Sequence, residues 1–123
     1  MINKKEIFIS YSIEDERQRD ILKRQSLNTK LSFEYSDISL KEPYDFDWKN
    51  SVRTIIHNSD GVIVLVSKNS LMSNGQKWEL FCAKEENKKM LGIRAYTSDR
   101  TIISMINTKI WTWSNISNFI NIL

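Results

Sequence analysis

The stretch GVIVLVS, residues 61–67, constrains the fold more than any other part of this 123-residue chain. Its valines and isoleucine favour a β-strand, and its apolar residues follow one another without alternating with polar ones. Such a strand needs apolar cover on both faces, as at the centre of a parallel sheet between two layers of helices. The sequence therefore predicts an α/β fold with this strand in its interior.

Four more strands and several helices are indicated around it. The other strands are EIFIS (6–10), LSFEYSD (31–37), MLGIRAY (90–96) and KIWTW (109–113). The first expected helix follows Ser12 and carries the apolar stripe Ile13, Ile21 and Leu22, and the second runs from near Trp48 to residues 59–61 with Val52, Ile55 and Ile56 facing inward. The third runs from Ser73 to the lysines near 89, with Ser73 and Gln76 at capping-box spacing. A short helix is expected before the fifth strand, and a last one over residues 114–123 has Ile116, Phe119, Ile120 and Leu123 on one face.

This alternation of strands and helices predicts a three-layer, flavodoxin-like fold in a single domain, residues 1–123. The five strands would form a parallel sheet in the order 2-1-3-4-5, with helices on both faces. In such folds ligands bind beyond the carboxyl ends of the strands, where the strand order reverses. We therefore expect Ser10, Tyr11, Ser12, Asp37 and the stretch 67–79 to converge on one crevice.

The composition of the chain argues against several classes of function. The net charge of +3 comes from 18 basic and 15 acidic residues scattered along the chain, which disfavours nucleic-acid binding. No segment approaches the ~20 apolar residues of a membrane span, so we expect a cytoplasmic protein without a membrane partner. One cysteine, Cys82, and one histidine, His57, form neither a disulfide nor a zinc site, so no metal is expected. Packing is the preferred interpretation of Cys82.

The crevice lacks the residues of several common sites. Neither GxGxxG nor GxxxxGK[ST] occurs, and the places where a receiver domain carries acidic residues hold Ser10, Tyr11, Ser12 and Ser67. His57 falls on the body of the second helix, where a solvated or core-edge side chain is expected rather than a catalytic base. The remaining candidate is Glu79, with Asp37 beside it.

A single carboxylate suits the cleavage of an N-glycosidic bond whose leaving group needs no proton. Nicotinamide in NAD⁺ departs neutral, so the general acid of a glycosidase is unnecessary. Glu79 would stabilise the oxocarbenium-like transition state, and Trp78 would form an apolar wall that excludes water. The structural alternatives are a near-surface glutamate favoured by the helix dipole, a tryptophan packed on the sheet edge, and an Asp37 that only caps a turn.

Two segments carry a resemblance to a known family. EIFISYSIEDE resembles the first motif of TIR domains, and SDGVIVLVSKNSLMSNGQKWELFCAKEENKKMLGIRA resembles the segment of TIR-like proteins that contains a Trp-Glu pair. The bacterial TIR-like family typified by the ThsB proteins of Thoeris anti-phage defence is the most similar. The resemblance implies a flavodoxin-like fold, Glu79 as the catalytic carboxylate, Trp78 as its aromatic neighbour, and Ser10, Tyr11 and Asp37 around NAD⁺.

The resemblance also implies an activity and partners. Family members consume NAD⁺ as a substrate, not as a cofactor, and many release a cyclic or modified ADP-ribose that signals to a separate effector. A homo-oligomer is expected, since a neighbouring protomer often completes such sites. One alternative is a non-enzymatic interaction module that makes contact through residues 38–47, where Tyr44 and Phe46 lie in a charged loop. A second alternative is an enzyme similar to nucleoside 2-deoxyribosyltransferases.

Overall fold

Strands and helices alternate along the chain. The computed structural model describes residues 4–27, 33–36 and 46–123, with only the backbone at Phe46. The strands are β1 (Lys5–Ser10), β2 (Phe33–Ser36), β3 (Gly61–Val66), β4 (Met90–Arg94) and β5 (Thr108–Lys109). The helices are α1 (Glu16–Ser26), α2 (Phe46–Asn58), α3 (Asn74–Glu85) and α4 (Trp113–Asn121), with 3-10 turns at Ile13–Asp15 and Lys68–Met72.

The five strands form one sheet in the order β2-β1-β3-β4-β5, and every neighbouring pair is parallel. Ile7 of β1 lies opposite Tyr35 of β2 on one side and Gly61 of β3 on the other. All six residues of β3 are buried. The predicted flavodoxin-like arrangement, with this strand in the interior, is therefore confirmed.

The pleat of the strands divides the apolar residues between two cores. Ile7 and Ile9 of β1 face α1 and α4, whereas Phe8 faces α2 and α3. Neighbouring residues of a strand point to opposite faces, so each strand contributes to both layers. The first core contains Leu22 of α1 with Ile116, Phe119 and Ile120 of α4; the second contains Val52 and Ile56 of α2 with Cys82 and Ala83 of α3.

The prediction of a short helix between β4 and β5 is wrong. Residues 95–107 are described throughout and contain turns and irregular backbone but no helix. The Asp99 carboxylate accepts from the backbone N–H and the hydroxyl of Thr101 at 2.9 and 2.6 Å. Such local bonds compete with helical ones, and the β-branched residues that follow lower the helix propensity further.

The apolar stripe expected for the first helix is only partly correct. Leu22 is fully buried, but the Ile13 side chain is 39% exposed. Ile13 lies in the 3-10 turn before α1, and a turn with three residues per repeat does not continue the spacing of an α-helix. Extending the α-helical period back to Ile13 therefore placed it on the wrong face.

Two helix starts depend on side-chain caps. The Ser73 hydroxyl accepts from the N–H of Gln76 at 3.1 Å, which confirms Ser73 as the cap of α3. Thr112 caps α4 by accepting from the N–H of Asn115 at 3.1 Å. The strand β5 ends at Lys109, and Thr112 already caps α4, so the strand predicted over residues 109–113 is shorter and lies earlier than expected.

The tight packing of Gly92 against β5 generates a prediction. A Cβ at Gly92 would lie 2.7 Å from Thr108 Oγ1 and 3.1 Å from Thr108 Cα, so the backbone of β5 would have to move. We expect Gly92→Ala to lower the free energy of unfolding by roughly 1–3 kcal/mol, measured by denaturant titration.

Gly61→Ala is the matched control. Its Cβ would meet the flexible end of Leu123 at 2.8 Å, and that side chain can turn away. A larger loss of stability for Gly61→Ala than for Gly92→Ala would contradict this account of the β4–β5 contact.

Candidate active site

Ser10 and Glu79 meet beside the carboxyl ends of β1 and β3, where the strand order of the sheet reverses. Ser10 is the last residue of β1, and the pleat points it to the same face as Phe8, toward α3. The Ser10 hydroxyl donates a hydrogen bond to Glu79 Oε1 at 2.8 Å. The structure thus brings together two of the residues predicted for the site, at the switch point between β1 and β3.

Gln76 holds the strand ends beside this pair. Its Nε2 donates to the carbonyl oxygens of Ser10 and Leu65, at 3.2 and 3.0 Å. The amide therefore bridges the ends of β1 and β3, one helical turn before Glu79. Its Oε1 atom is buried and accepts no hydrogen bond from the described residues. The sequence indicated Gln76 only as part of a helix cap, and its hydrogen bond to the Ser10 carbonyl was not predicted.

Glu79 is far more buried than expected. The structural alternative in the sequence analysis was a glutamate near the surface, but the exposed fraction of Glu79 is 1%. The reason is the helical spacing: Gln76, Glu79, Cys82 and Ala83 form the stripe of α3 that faces the sheet. Burying a carboxylate is costly unless it is hydrogen-bonded, and Ser10 supplies one such bond.

Trp78 makes its described contacts with α2. Its indole Nε1 donates to the carbonyl oxygen of Lys49 at 3.3 Å, and the Lys49 ammonium lies 5.0 Å from the ring centre. Arg53 also lies over the ring, and Phe81 stacks against it with centroids 5.4 Å apart. These contacts make Trp78 a link between the two helices, and its predicted role beside the substrate stays a prediction.

The remaining predicted site residues lie in different places. Tyr11 is buried on the opposite face of the sheet, where Arg19 lies over its ring and donates to its hydroxyl at 2.8 Å. Ser12 is buried and donates to the Glu14 carboxylate, with no cap bond from its side chain. Asp37 lies outside the described residues. Roles for these three in substrate binding therefore stay predictions.

A buried aspartate forms a second polar cluster at the same edge of the sheet. Asp15 has no exposed surface and accepts from Ser67 Oγ at 2.5 Å, Asn69 Nδ2 at 2.9 Å and Tyr96 Oη at 2.8 Å. It thereby joins the segments that follow β1, β3 and β4. Asp15 was not among the predicted site residues, because its partners follow different strands and meet it only in the folded chain.

The other reactive side chains are structural. Cys82 is buried in the second core, and burial raises the pKa of its thiol, which confirms the packing interpretation. His57 is exposed on α2, with Nδ1 2.9 Å from Glu86 Oε2, as expected for a solvated histidine. Among the described residues there is no cluster of three metal-ligating side chains, and no helix is long and apolar enough to cross a membrane.

The Asp15–Tyr96 contact predicts a pH dependence. Burial, and then the hydrogen bond and charge of Asp15, raise the pKa of Tyr96 from 10.0 to about 12. Because the raised pKa favours the protonated phenol in the folded state, its contribution to stability is complete below pH 10 and is lost as the pH rises toward 12. We expect Asp15→Asn to shift the Tyr96 titration back toward pH 10, measured by tyrosinate absorbance.

Tyr96→Phe identifies which part of the absorbance belongs to Tyr96. Asp15→Asn should also lower the free energy of unfolding near neutral pH by about 1–3 kcal/mol, since the amide places N–H groups against donors. A Tyr96 titration that is unchanged in Asp15→Asn would show that the carboxylate does not act on the phenol.

Comparison with known proteins identifies the family of the chain. The chain matches the family described as Thoeris protein ThsB, TIR-like domain, over residues 8–100. The matched segment runs from β1 to beyond β4 and contains Ser10, Gln76 and Glu79. A comparison with curated proteins gives no match. Since the matched segment covers more than half of the sequence, the chain belongs to the Thoeris ThsB TIR-like domain family, which indicates a Thoeris-type defence protein.

Proposed function

We propose that the protein cleaves the bond between nicotinamide and ribose in NAD⁺ and produces an ADP-ribose-derived signalling nucleotide in anti-phage defence. The observation that carries the proposal is the Ser10–Glu79 hydrogen bond of 2.8 Å at the switch point of the sheet. Family membership supports the same assignment. Glu79 is the proposed catalytic residue.

The reaction needs one carboxylate and no general acid. When the bond between the ribose C1′ and the ring nitrogen breaks, its electron pair neutralises the positive charge of the nicotinamide. The ribose is left as an oxocarbenium-like cation, which a fixed negative charge stabilises. Water then attacks C1′ and releases a proton, or an internal nucleophile of the same molecule closes a ring.

The neighbours of Glu79 fix its geometry. Ser10 donates to Oε1 and so orients the carboxylate, and Gln76 holds the Ser10 carbonyl from the other side. A charge that is already oriented stabilises a transition state without reorganising during the reaction. Exclusion of water around a side chain that is 1% exposed strengthens this electrostatic effect.

The same burial sets a requirement for substrate binding. With an exposed fraction of 1%, the Glu79 carboxylate cannot meet the ribose until neighbouring groups move. NAD⁺ binding therefore includes a local opening of the site. A homo-oligomer and a separate effector that senses the product complete the proposal, on the strength of the family resemblance alone.

The two alternatives stay predictions. The contact loop of the interaction module, residues 38–47, lies outside the described residues except for the backbone of Phe46 and for Asp47. An enzyme similar to nucleoside 2-deoxyribosyltransferases would release free base from deoxynucleosides, and measuring the release of free base tests that activity.

Replacing the carboxylate tests the proposal directly. Glu79→Gln keeps the shape and an oxygen that accepts from Ser10 but removes the charge, so nicotinamide release should fall by at least about 100-fold while the protein stays folded. The measurement is release of nicotinamide from NAD⁺ at high protein concentration, with products resolved by mass spectrometry. Thermal unfolding reports on the fold.

Glu85→Gln is the matched control, because Glu85 is an exposed glutamate at the end of the same helix. It should leave turnover unchanged. Wild-type turnover in Glu79→Gln would refute the catalytic assignment, and the product mass distinguishes hydrolysis from cyclisation.

Ser10→Ala tests the orientation of the carboxylate. Loss of a hydrogen bond to a charged group costs about 1.5–3 kcal/mol, so kcat should fall roughly 10- to 100-fold, with a smaller change in KM. Ser114→Ala, at an exposed position of α4, is the control. Equal kcat values for Ser10→Ala and Ser114→Ala would remove Ser10 from the mechanism.

A further inference from the structure

A cavity of about 690 Å³ lies at the carboxyl end of β4 and is lined by residues from α1, from the segment after β4 and from the segment after β5. None of Ser10, Gln76 and Glu79 lines it, so it is separate from the proposed catalytic pair. Its volume falls within the range of about 300–1,000 Å³ that is usual for small-molecule sites. Its position beyond a strand end is also where α/β sheets bind ligands.

The charged side chains that line this cavity are all positive among the described residues. Arg94 and Arg100 line it, and no acidic residue is among the described residues that line it. The nearby Asp15 carboxylate accepts a hydrogen bond from the hydroxyl of Tyr96, which also lines the cavity, at 2.8 Å. The Nε atom of Arg94 is buried and has no hydrogen-bond partner in the described parts of the chain. No described carboxylate forms an ion pair with either arginine. Two guanidinium groups that form no ion pair with a described carboxylate favour an anion with several oxygen acceptors.

A second cavity, of about 560 Å³, extends the basic surface along the same segment. It shares Tyr96, Ser98 and Arg100 with the first and adds Lys68. Asp99 also lines it, but its carboxylate already accepts from the backbone N–H of Lys68 at 2.7 Å and from Thr101. Arg94 in the first cavity, Lys68 in the second and Arg100 in both suit an extended anion better than a single small ion.

An aromatic ring lies beside the cations. Trp111 lines the first cavity, and its Nε1 donates to Gln25 Oε1 at 2.7 Å, which restrains the orientation of the indole. A restrained aromatic side chain offers a surface on which a nucleic-acid base can stack. Tyr96 lines the same cavity and adds a second ring.

We propose that this cavity is a binding site for a nucleoside phosphate, with the phosphates on Arg94 and Arg100 and the base against Trp111. The site is independent of the proposed NAD⁺ cleavage, because it shares no residue with the catalytic pair. It gives the fold a second nucleotide site on the α1 side of the sheet.

The test is calorimetric binding of ADP, inorganic pyrophosphate and adenosine to the full chain at near-physiological salt. Wild-type protein should bind ADP, and Arg100→Gln and Arg94→Gln should each weaken binding by at least about tenfold. Arg17→Gln, which removes the same charge from an exposed position of α1 outside the cavity, should bind ADP as the wild type does. Trp111→Leu should weaken ADP binding but leave pyrophosphate binding unchanged.

Each other outcome overturns the proposal or part of it. No ADP binding at millimolar concentration, or an equal loss in Arg17→Gln and Arg100→Gln, would overturn the site. Pyrophosphate binding as tight as that of ADP, with no effect of Trp111→Leu, would overturn the assignment to a nucleoside. Loss of ADP binding in Glu79→Gln would place the nucleotide at the catalytic pair instead. Because Arg100 is exposed, its variant tests the site even if Arg94→Gln fails to fold.

Discussion

The burial of β3 on both faces is the constraint on which the rest of the structure depends. A strand whose six residues are all buried needs a helical layer on each side, and parallel neighbours connected by helices provide both. The parallel arrangement in turn places the carboxyl ends of all strands at one edge. Polar residues that follow the strands are then forced together at that edge, partly removed from water.

Two polar clusters provide hydrogen-bond partners for the buried polar groups at this edge. Ser10, Gln76 and Glu79 meet on the side of α3, and Asp15 with Ser67, Asn69 and Tyr96 joins the segments after β1, β3 and β4. Leaving one of these buried groups without a partner would cost about 1–3 kcal/mol, so each cluster stabilises the edge as well as shaping it. The unpartnered Gln76 Oε1 is an exception within the described residues, and it lies on the same helix as Glu79, one turn before it.

The fold was predictable because it follows from apolar patterns, whereas much of the site depends on tertiary contacts. The unbroken run 61–67 and the alternation of elements indicated a parallel sheet between two helical layers, and the strand order 2-1-3-4-5 is the flavodoxin-like order that the family resemblance also implies. The side-chain directions of Tyr11, Trp78 and Glu79 were harder to predict, because each depends on the pleat or on the helical phase against a particular neighbour. Asp15 escaped notice since its partners follow three different strands, and the 3-10 turn before α1 sets its position.

The division of the edge also separates the two proposed functions, which need different surroundings. A carboxylate that stabilises a cationic transition state gains from a site that excludes water, and Glu79 is 1% exposed. Phosphate groups are strongly hydrated and need several donors near the surface, as the exposed Arg100 and the partly exposed Arg94 provide. Placing both at one point would pair the glutamate with the arginines and reduce the charge available to either. The strand pleat and the two helical layers keep them apart, which is how one small sheet supports a buried carboxyl group and a basic cavity at the same edge.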